Sequence, residues 1–124
     1  MEKIFLVAIG GMVGAVGRYL VTQFSSQYLG VHFPYGTLIV NIVGCFVIGV
    51  VMGLITEKML LNENMRLLLV VGFAGGLTTF SAFSFDTVHL FQQNQIFLSA
   101  LNVFANMILG FGATLAGLAA VRMF

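Results

Sequence analysis

The residues best suited to chemistry lie in one segment, residues 72–86, which reads GFAGGLTTFSAFSFD. Gly75 and Gly76 come just before Thr78 and Thr79, and paired glycines next to β-branched residues weaken helical order. A helix interrupted there frees backbone carbonyls, and carbonyl oxygens are ligands for a hard cation. The segment therefore predicts a broken helix whose main-chain oxygens can bind a monovalent cation. The alternative is an unbroken helix whose glycines form a packing face.

Two phenylalanines follow these threonines at helical spacing. Phe80 and Phe83 stand three residues apart and therefore share one face of a helix. In a chain with 13 Phe, such a pair is usually lipid-facing or core bulk. The edge of a phenyl ring carries the positive part of its quadrupole, so two ring edges can also hold a small anion without binding it tightly.

Other polar residues are expected inside apolar stretches. Arg18 is a functional candidate because an ionisable group within a membrane span is costly; it either attracts anions or snorkels to the interface. Asn41 is expected at a similar depth, where its amide donates to an anion or to a neighbouring helix. Asn102 and Asn106 share one face of a later helix, with Thr114 further along, and suit either packing or a polar track.

Long uncharged stretches must position these residues. Apolar residues make up 60 % of the 124-residue chain and charged residues 7 %, against roughly 25 % charged in a soluble domain. A membrane helix needs about 20 predominantly apolar residues. The chain predicts an all-α integral membrane four-helix bundle, with the third transmembrane helix broken near the midplane. It forms a single domain over residues 1–124, with helices at about 4–24, 36–56, 66–90 and 97–121.

Composition and charge exclude other classes of protein. Five basic and four acidic side chains could not coat a soluble domain of this size, so a soluble enzyme is excluded. A net charge of +1 without a basic run argues against a nucleic-acid partner. The single Cys45 excludes an internal disulfide, and the spans contain no nucleophile–base pair or cluster of metal ligands. The sequence therefore predicts no catalytic residues.

The loops predict how the helices are arranged. Lys3, Lys58, Arg66 and Arg122 lie on the side of the chain termini, which favours both termini in the cytoplasm. Because each loop is short, we expect consecutive helices to be antiparallel neighbours. Pairs of glycines at helical spacing predict close helix packing, which leaves little room for a lumen in one chain. A polar pathway would then need an oligomer.

Three segments carry a resemblance. Residues 72–86, GGMVGAVGRY at 10–19 and PYGTLIVNIVG at 34–44 resemble the signature of the fluoride-specific ion channel (Fluc, also called CrcB) family. The length and the four-span layout agree, so the resemblance covers essentially the whole chain. It implies a multi-pass protein of the cell inner (plasma) membrane, an antiparallel dual-topology dimer with two fluoride pathways and a central structural sodium ion (Na+) that is not transported.

The resemblance also implies residue roles by motif position. Sodium would be held by the main-chain carbonyls of Gly75 and Thr78 from both subunits. The implied residues of the fluoride pathway are Arg18 as vestibule cation, Asn41, Phe80, Ser81 and Phe83. Asp86 stands where many members have Glu, and the family's usual hydroxyl residue near Gly110 is missing. The contributions of Asp86, Asn102, Asn106 and Thr114 therefore stay open.

The resemblance implies a passive channel that exports fluoride from the cell and so reduces its toxicity. The alternative is a small proton-coupled multidrug-type exporter, which has a similar four-helix dimer plan. No Asp or Glu lies in the middle of a span, and this weighs against proton-coupled exchange. A third hypothesis is a non-conducting assembly subunit. We expect a homodimer. The basic residues on one side would also suit a heterodimer with a paralogue, so that alternative stays open.

Overall fold

The computed structural model describes all residues, Met1–Phe124, and all of its regular secondary structure is helical. The elements are α1 (Glu2–Leu29), α2 (Tyr35–Thr56), α3 (Glu63–Arg66), a π-helical segment (Leu67–Ala74), α4 (Gly75–Leu77), α5 (Phe80–Gln92) and α6 (Ile96–Arg122). The elements from α3 to α5 form one span of 30 residues, Glu63–Gln92, which we call the third span. With α1, α2 and α6 it gives four helices long and apolar enough to cross a membrane. The predicted all-α, four-span architecture is confirmed.

The first helix is longer than the expected range of about 4–24. Its polar residues near the end, such as Gln23 and Ser25, stay helical, and α1 ends only at Gly30, whose φ of 87° is left-handed. A glycine reaches this conformation without a steric penalty, so it is a common end for a helix. The extra turn places Arg18 close to the middle of α1, whereas we expected it toward the far end.

The third span is interrupted near its middle, as predicted, but the glycines are not the interruption. Gly75 is helical, with φ −63° and ψ −37°. Thr78 (φ −81°, ψ 156°) and Thr79 (φ −153°, ψ 119°) are extended. Extended backbone suits β-branched side chains, whose rotamers a helix restricts. The threonines therefore end the helix, and the glycines before them remain in it.

Close backbone contacts explain why Gly76 stays helical. A Cβ built on Gly76 would lie 2.6 Å from the Gly11 carbonyl oxygen, and one built on Gly72 would lie 2.9 Å from Gly10 Cα. On the other helix, a Cβ at Gly14 would lie 2.8 Å from the Leu77 nitrogen. Packing against α1 therefore stabilises this half of the third span in helical form.

The π-helical segment lies just before the break. π-helical turns are rare and occur frequently at functional sites, because the wider turn shifts the side chains that follow. The segment carries Gly72, one of the glycines in contact with α1. Its residues, LLLVVGFA, give no local signal that separates a π-helix from an α-helix.

The most extensive helix contacts join alternate spans: α1 packs on the third span, and α2 packs on α6. Both pairs are parallel, because residue numbers rise together along the two partners. Gly49 faces Thr114 and Gly117, and Gly53 faces Val121 one turn further along both helices. Consecutive helices also contact each other, as expected, but these contacts are less extensive. Parallel glycine contacts of this kind are a common way for helices to associate in lipid.

Large apolar side chains cover the outside of the bundle. Only 22 of the 124 residues are buried in the single chain, and α1 is the least buried of the four spans. The exposed residues include many Phe, Ile, Leu and Val along every span. Such a surface suits the hydrocarbon of a lipid bilayer and a protein partner within it.

Candidate ion pathway

The Asn41 side chain forms hydrogen bonds with backbone groups that lose their helical partners at the break in the third span. Its Oδ1 accepts a hydrogen bond from the Thr79 N–H at 2.9 Å, and its Nδ2 donates to the Thr79 carbonyl at 3.3 Å. In a continuous helix the Thr79 N–H would donate to the Gly75 carbonyl instead. The side chain of α2 therefore satisfies the backbone of the third span at mid-membrane depth, where an unpaired group is costly.

This exchange leaves two carbonyls free. No backbone N–H donates to the Gly75 or the Thr78 carbonyl, since the Thr79 N–H goes to Asn41 and the Ala82 N–H goes to Thr79 Oγ1 at 3.1 Å. Gly75 is exposed on the surface of the single chain, and Thr78 is partly exposed. Unpaired carbonyl oxygens at this depth are suitable ligands for a hard monovalent cation, so both residues fit the implied sodium site.

A cavity of about 260 Å³ opens beside the break. Asn41, Thr79, Phe80 and Phe83 line it together with Asn106. The two phenyl rings contact each other, with centroids 5.5 Å apart and planes inclined at 55°. The Phe83 side chain is buried, whereas Phe80 is 74 % exposed in the single chain. The structure thus brings the predicted amide and the predicted aromatic pair to one cavity, with one phenyl ring at its outer edge.

Ser81 lies next to this cavity without lining it. Its hydroxyl is 3.1 Å from Thr79 Oγ1, which caps α5 by accepting from the Ala82 N–H. The two hydroxyls form a polar edge at the start of α5. Only one of the two hydroxyls uses its hydrogen in this bond, so the other keeps an O–H that can donate to an anion.

Arg18 lies outside the cavity. It is on α1, which packs against α2 and the first half of the third span, and its side chain makes no hydrogen bond or ion pair within the chain. Thr22, one turn further along α1, contacts Gly36 of the antiparallel α2. This register places Arg18 level with residues one turn beyond Gly36, close to Asn41. The shared depth of Arg18 and Asn41 matches the expectation, but Asn41 lines the cavity whereas Arg18 does not.

Asp86 accepts a hydrogen bond from Thr37 Oγ1 at 3.0 Å. Both residues border a second, more polar cavity of about 450 Å³ at the ends of α1 and α5, to which His32 and His89 also contribute. Thr114 donates to the carbonyls of Cys45 and Gly110 at 3.3 and 3.2 Å, so it joins α6 to α2. Thr114 is therefore a packing residue in the single chain, whereas Asp86 borders the polar cavity.

Two residues of α6, whose contributions the sequence left open, lie at or next to the cavity. Asn106 lines the cavity, and its Oδ1 accepts from Asn41 Nδ2 at 3.0 Å. Asn102 is fully buried one turn away. Their spacing of four residues was the available signal, because it places both amides on one face, but the partner on α2 depends on the parallel packing of α2 against α6.

The charged residues at the other end of the bundle form exposed pairs. Arg122 Nε and Nη2 donate to the Glu57 carboxylate at 2.9 to 3.0 Å. These hydrogen bonds and the positive charge of Arg122 hold the pKa of Glu57 below its ordinary value. Both residues lie far along the chain from the break, so the pair does not contribute to the cavity.

Comparisons with known proteins identify the family of the chain. The family described as "CrcB-like protein, Camphor Resistance (CrcB)" matches residues 5–118. The chain is 47 % identical over 98 % of its length to a Rhizobium etli protein named "Fluoride-specific ion channel FluC", of which it covers 98 %. Proteins of the same name from Agrobacterium fabrum (47 % identical, 98 % of each chain) and Flavobacterium psychrophilum (40 % identical, 95 % of each chain) are also similar. The chain belongs to the CrcB family of membrane proteins.

Proposed function

We propose that this multi-pass membrane protein is a passive, fluoride-selective channel that exports fluoride from the cell. The observation that carries the proposal is the cavity at the break, where the Asn41 amide and the rings of Phe80 and Phe83 meet. Relatives named as fluoride-specific channels, 40 to 47 % identical over nearly the whole chain, support it. The protein is a passive channel and not an enzyme, since its relatives are named as ion channels.

The chemistry of fluoride explains why such a pore is useful. Hydrogen fluoride is a weak acid that crosses membranes in its neutral form, dissociates in the more alkaline cytoplasm and is trapped there as the anion. A pore for the anion drains it along its electrochemical gradient without an energy source. Selectivity requires a narrow path whose donors replace part of the hydration shell without holding the ion.

The polar groups beside the break suit a small anion. Asn41 provides an amide N–H, the hydroxyls of Thr79 and Ser81 provide further donors, and the phenyl rings provide positively polarised edges. None of these groups carries a full charge. Weak, neutral contacts of this kind allow the ion to enter and also to leave.

The pathway is completed by a second subunit in this proposal. Phe80 is 74 % exposed and Gly75 is exposed in the single chain, so the two residues that flank the break are available to another copy. An antiparallel homodimer would cover both faces and enclose two cavities. Dual orientation in the membrane would supply the two copies from one polypeptide. Arg18, which has no partner within the chain, would then provide positive potential at the vestibule.

The proposed structural sodium ion would be bound by the carbonyls of Gly75 and Thr78 from both subunits. The support is that neither carbonyl accepts a backbone hydrogen bond. When bound, the cation offsets the repulsion between carbonyl dipoles that meet at the subunit interface. Gly75 and Thr78 contribute by presenting these oxygens; the anion path itself uses other residues.

A liposome assay tests the proposed function. The purified polypeptide is reconstituted alone, with internal potassium fluoride, no pH gradient and valinomycin to release the counter-ion, and external fluoride is followed with an electrode. We expect rapid electrogenic efflux of fluoride and much slower efflux of chloride. Flux that requires counter-moving protons would instead identify the exporter, and the absence of any flux would contradict a self-sufficient homodimeric channel.

A further inference from the structure

Three asparagines form a continuous hydrogen-bonded chain beside the cavity, which we call the amide chain: Asn41 of α2 and Asn106 and Asn102 of α6. Asn41 Nδ2 donates to Asn106 Oδ1 at 3.0 Å, and Asn106 Nδ2 donates to Asn102 Oδ1 at 3.0 Å. Asn102 is fully buried and the other two residues are half-buried, so water competes little for these bonds. In both links a nitrogen donates to an oxygen, and the donors point in the same direction.

Backbone groups at both ends fix this direction. At one end the Thr79 N–H can only donate, and it donates to Asn41 Oδ1 at 2.9 Å. At the other end the Phe83 carbonyl can only accept, and it accepts from the Thr87 hydroxyl at 2.8 Å. Thr87 Oγ1 is then left to accept from Asn102 Nδ2 at 2.9 Å. Turning any one amide over would bring oxygen against oxygen and nitrogen against nitrogen, so both ends impose one orientation.

This orientation decides what Asn41 offers to the cavity. Its Nδ2 carries two hydrogens: Asn106 accepts one, and the other meets the Thr79 carbonyl at 3.3 Å. That contact is longer than any bond along the chain, so an anion in the cavity competes for the weakest partner of Asn41. A reversed amide would present its oxygen there, and an oxygen repels an anion.

We infer that Asn102 and Asn106 are positioning residues, which hold the Asn41 amide with its N–H edge available to the conducted anion. The inference rests on the proposed function, since it concerns the anion path of that channel. Apolar side chains could join α5 and α6 without the cost of an unpaired polar group. A chain of polar side chains in lipid is stable only when every member has a hydrogen-bond partner. Every buried polar side-chain atom of this protein does have a partner. The fixed direction of the amides is what a hydrophobic contact could not supply.

The test begins with Asn102→Leu, which keeps the branched side-chain shape and the number of heavy atoms and removes the last amide. Asn106 then loses its side-chain acceptor and keeps only the backbone carbonyl of residue 102, so Asn41 is no longer oriented from the Thr87 end of the amide chain. We expect about tenfold lower fluoride flux, in line with the loss of one hydrogen bond, and a smaller ratio of fluoride to chloride permeability from the reversal potential. The matched control is Ser99→Ala, which removes a 2.8 Å bond from α6 to the Thr87 carbonyl outside the amide chain. It should conduct and select as the wild type does.

A second pair of variants keeps the inference testable if Asn102→Leu fails to assemble. Thr87→Val removes the acceptor of Asn102, whereas Thr87→Ser keeps the hydroxyl. We expect Thr87→Val to lose flux and selectivity as Asn102→Leu does, and Thr87→Ser to retain both. A role in packing alone would leave the permeability ratio of all four variants unchanged.

The double variant Asn41→Ala with Asn102→Leu completes the test. If Asn102 acts through Asn41, its removal has no further effect on flux or on the permeability ratio once Asn41 is gone. Additive effects in the double variant overturn the inference, and so do wild-type flux and selectivity in Asn102→Leu and Thr87→Val. In either case, a wild type that conducts fluoride still supports the proposed function. A wild type without fluoride flux overturns the proposed function itself.

Discussion

The two halves of the third span are held in the bundle by different forces. Before the break, Gly72 and Gly76 bring bare backbone against Gly10 and Gly14 of α1. After the break, side chains hold α5 in place through hydrogen bonds, from Asn41 at its start and from Asn102 and Ser99 along its length. Lipid provides no hydrophobic drive between helices, so association relies on one or the other. The first half is an anchor, and the second carries the polar groups that an ion needs.

The largest effect is expected from Gly14→Val, on the face of α1 that contacts the first half of the third span. A Cβ at this position would lie 2.8 Å from the Leu77 nitrogen and would overlap the Phe73 carbonyl, so α1 must move away from the third span. We expect a loss of about 3 kcal/mol in stability and little assembled protein by size-exclusion chromatography in detergent. Gly112→Val is the control, since a Cβ at Gly112 meets nothing within 4 Å. If the two variants behave alike, the backbone contact is not an anchor.

Asn41→Asp should spare the fold and abolish conduction. The carboxylate cannot donate to Asn106 Oδ1 or to the Thr79 carbonyl, and it places a negative charge on the proposed anion path. We expect fluoride efflux at the level of empty liposomes, with a normal elution volume. The same change in the exposed loop, Asn94→Asp, should conduct normally. An active Asn41→Asp channel would mean that Asn41 only joins the helices.

Phe80→Ile should reduce fluoride flux by about fivefold, since it removes a ring edge worth roughly 1 kcal/mol to an anion. The fold should be unaffected because the side chain is 74 % exposed in the single chain. Phe91→Ile, on the same helix and 60 % exposed, is the matched control and should conduct as the wild type does. Efflux from liposomes measures both. Equal flux in the two variants would remove the aromatic pair from the pathway.

The smallest effect is expected outside the membrane, at the Glu57–Arg122 pair. The pKa of Glu57 is lowered in the folded protein, so the pair stabilises it above the ordinary carboxyl value of 4.5, and this is lost as the pH falls through the lowered pKa. Because the pair is exposed, Glu57→Gln should melt within about 1 °C of the wild type at neutral pH. The difference should vanish in acid. A large shift at neutral pH would contradict the contrast between exposed and membrane-buried polar pairs.

Hydropathy and charge spacing were sufficient to predict the four spans, because lipid requires long apolar helices whatever their partners. They did not predict which spans pair. Short loops favour consecutive neighbours, but the glycine faces of α1 and α2 match those of the third span and α6 better. The same packing keeps Gly76 helical, and the break lies at Thr78 and Thr79. Local helix propensity cannot predict this, since the packing that opposes it comes from another helix.

The candidate site was predicted in its parts and not in its connections. Asn41, Phe80 and Phe83 were assigned from sequence pattern and resemblance, and all three line one cavity. The roles of Asn102 and Asn106 stayed open because their partners lie on other helices. A hydrogen bond between residues 65 positions apart, as between Asn41 and Asn106, leaves no trace in local spacing.

The pairing of alternate spans has a consequence for synthesis. A chain that enters the bilayer one helix at a time releases α1 long before the third span exists, and α2 long before α6. Neither pair can close as a finished hairpin, so each early helix must wait in lipid as an independent span. The length and apolar surface of α1 allow this. The pair of α1 and the third span can form before α6 is made, whereas α2 remains without its main partner until α6 enters the bilayer.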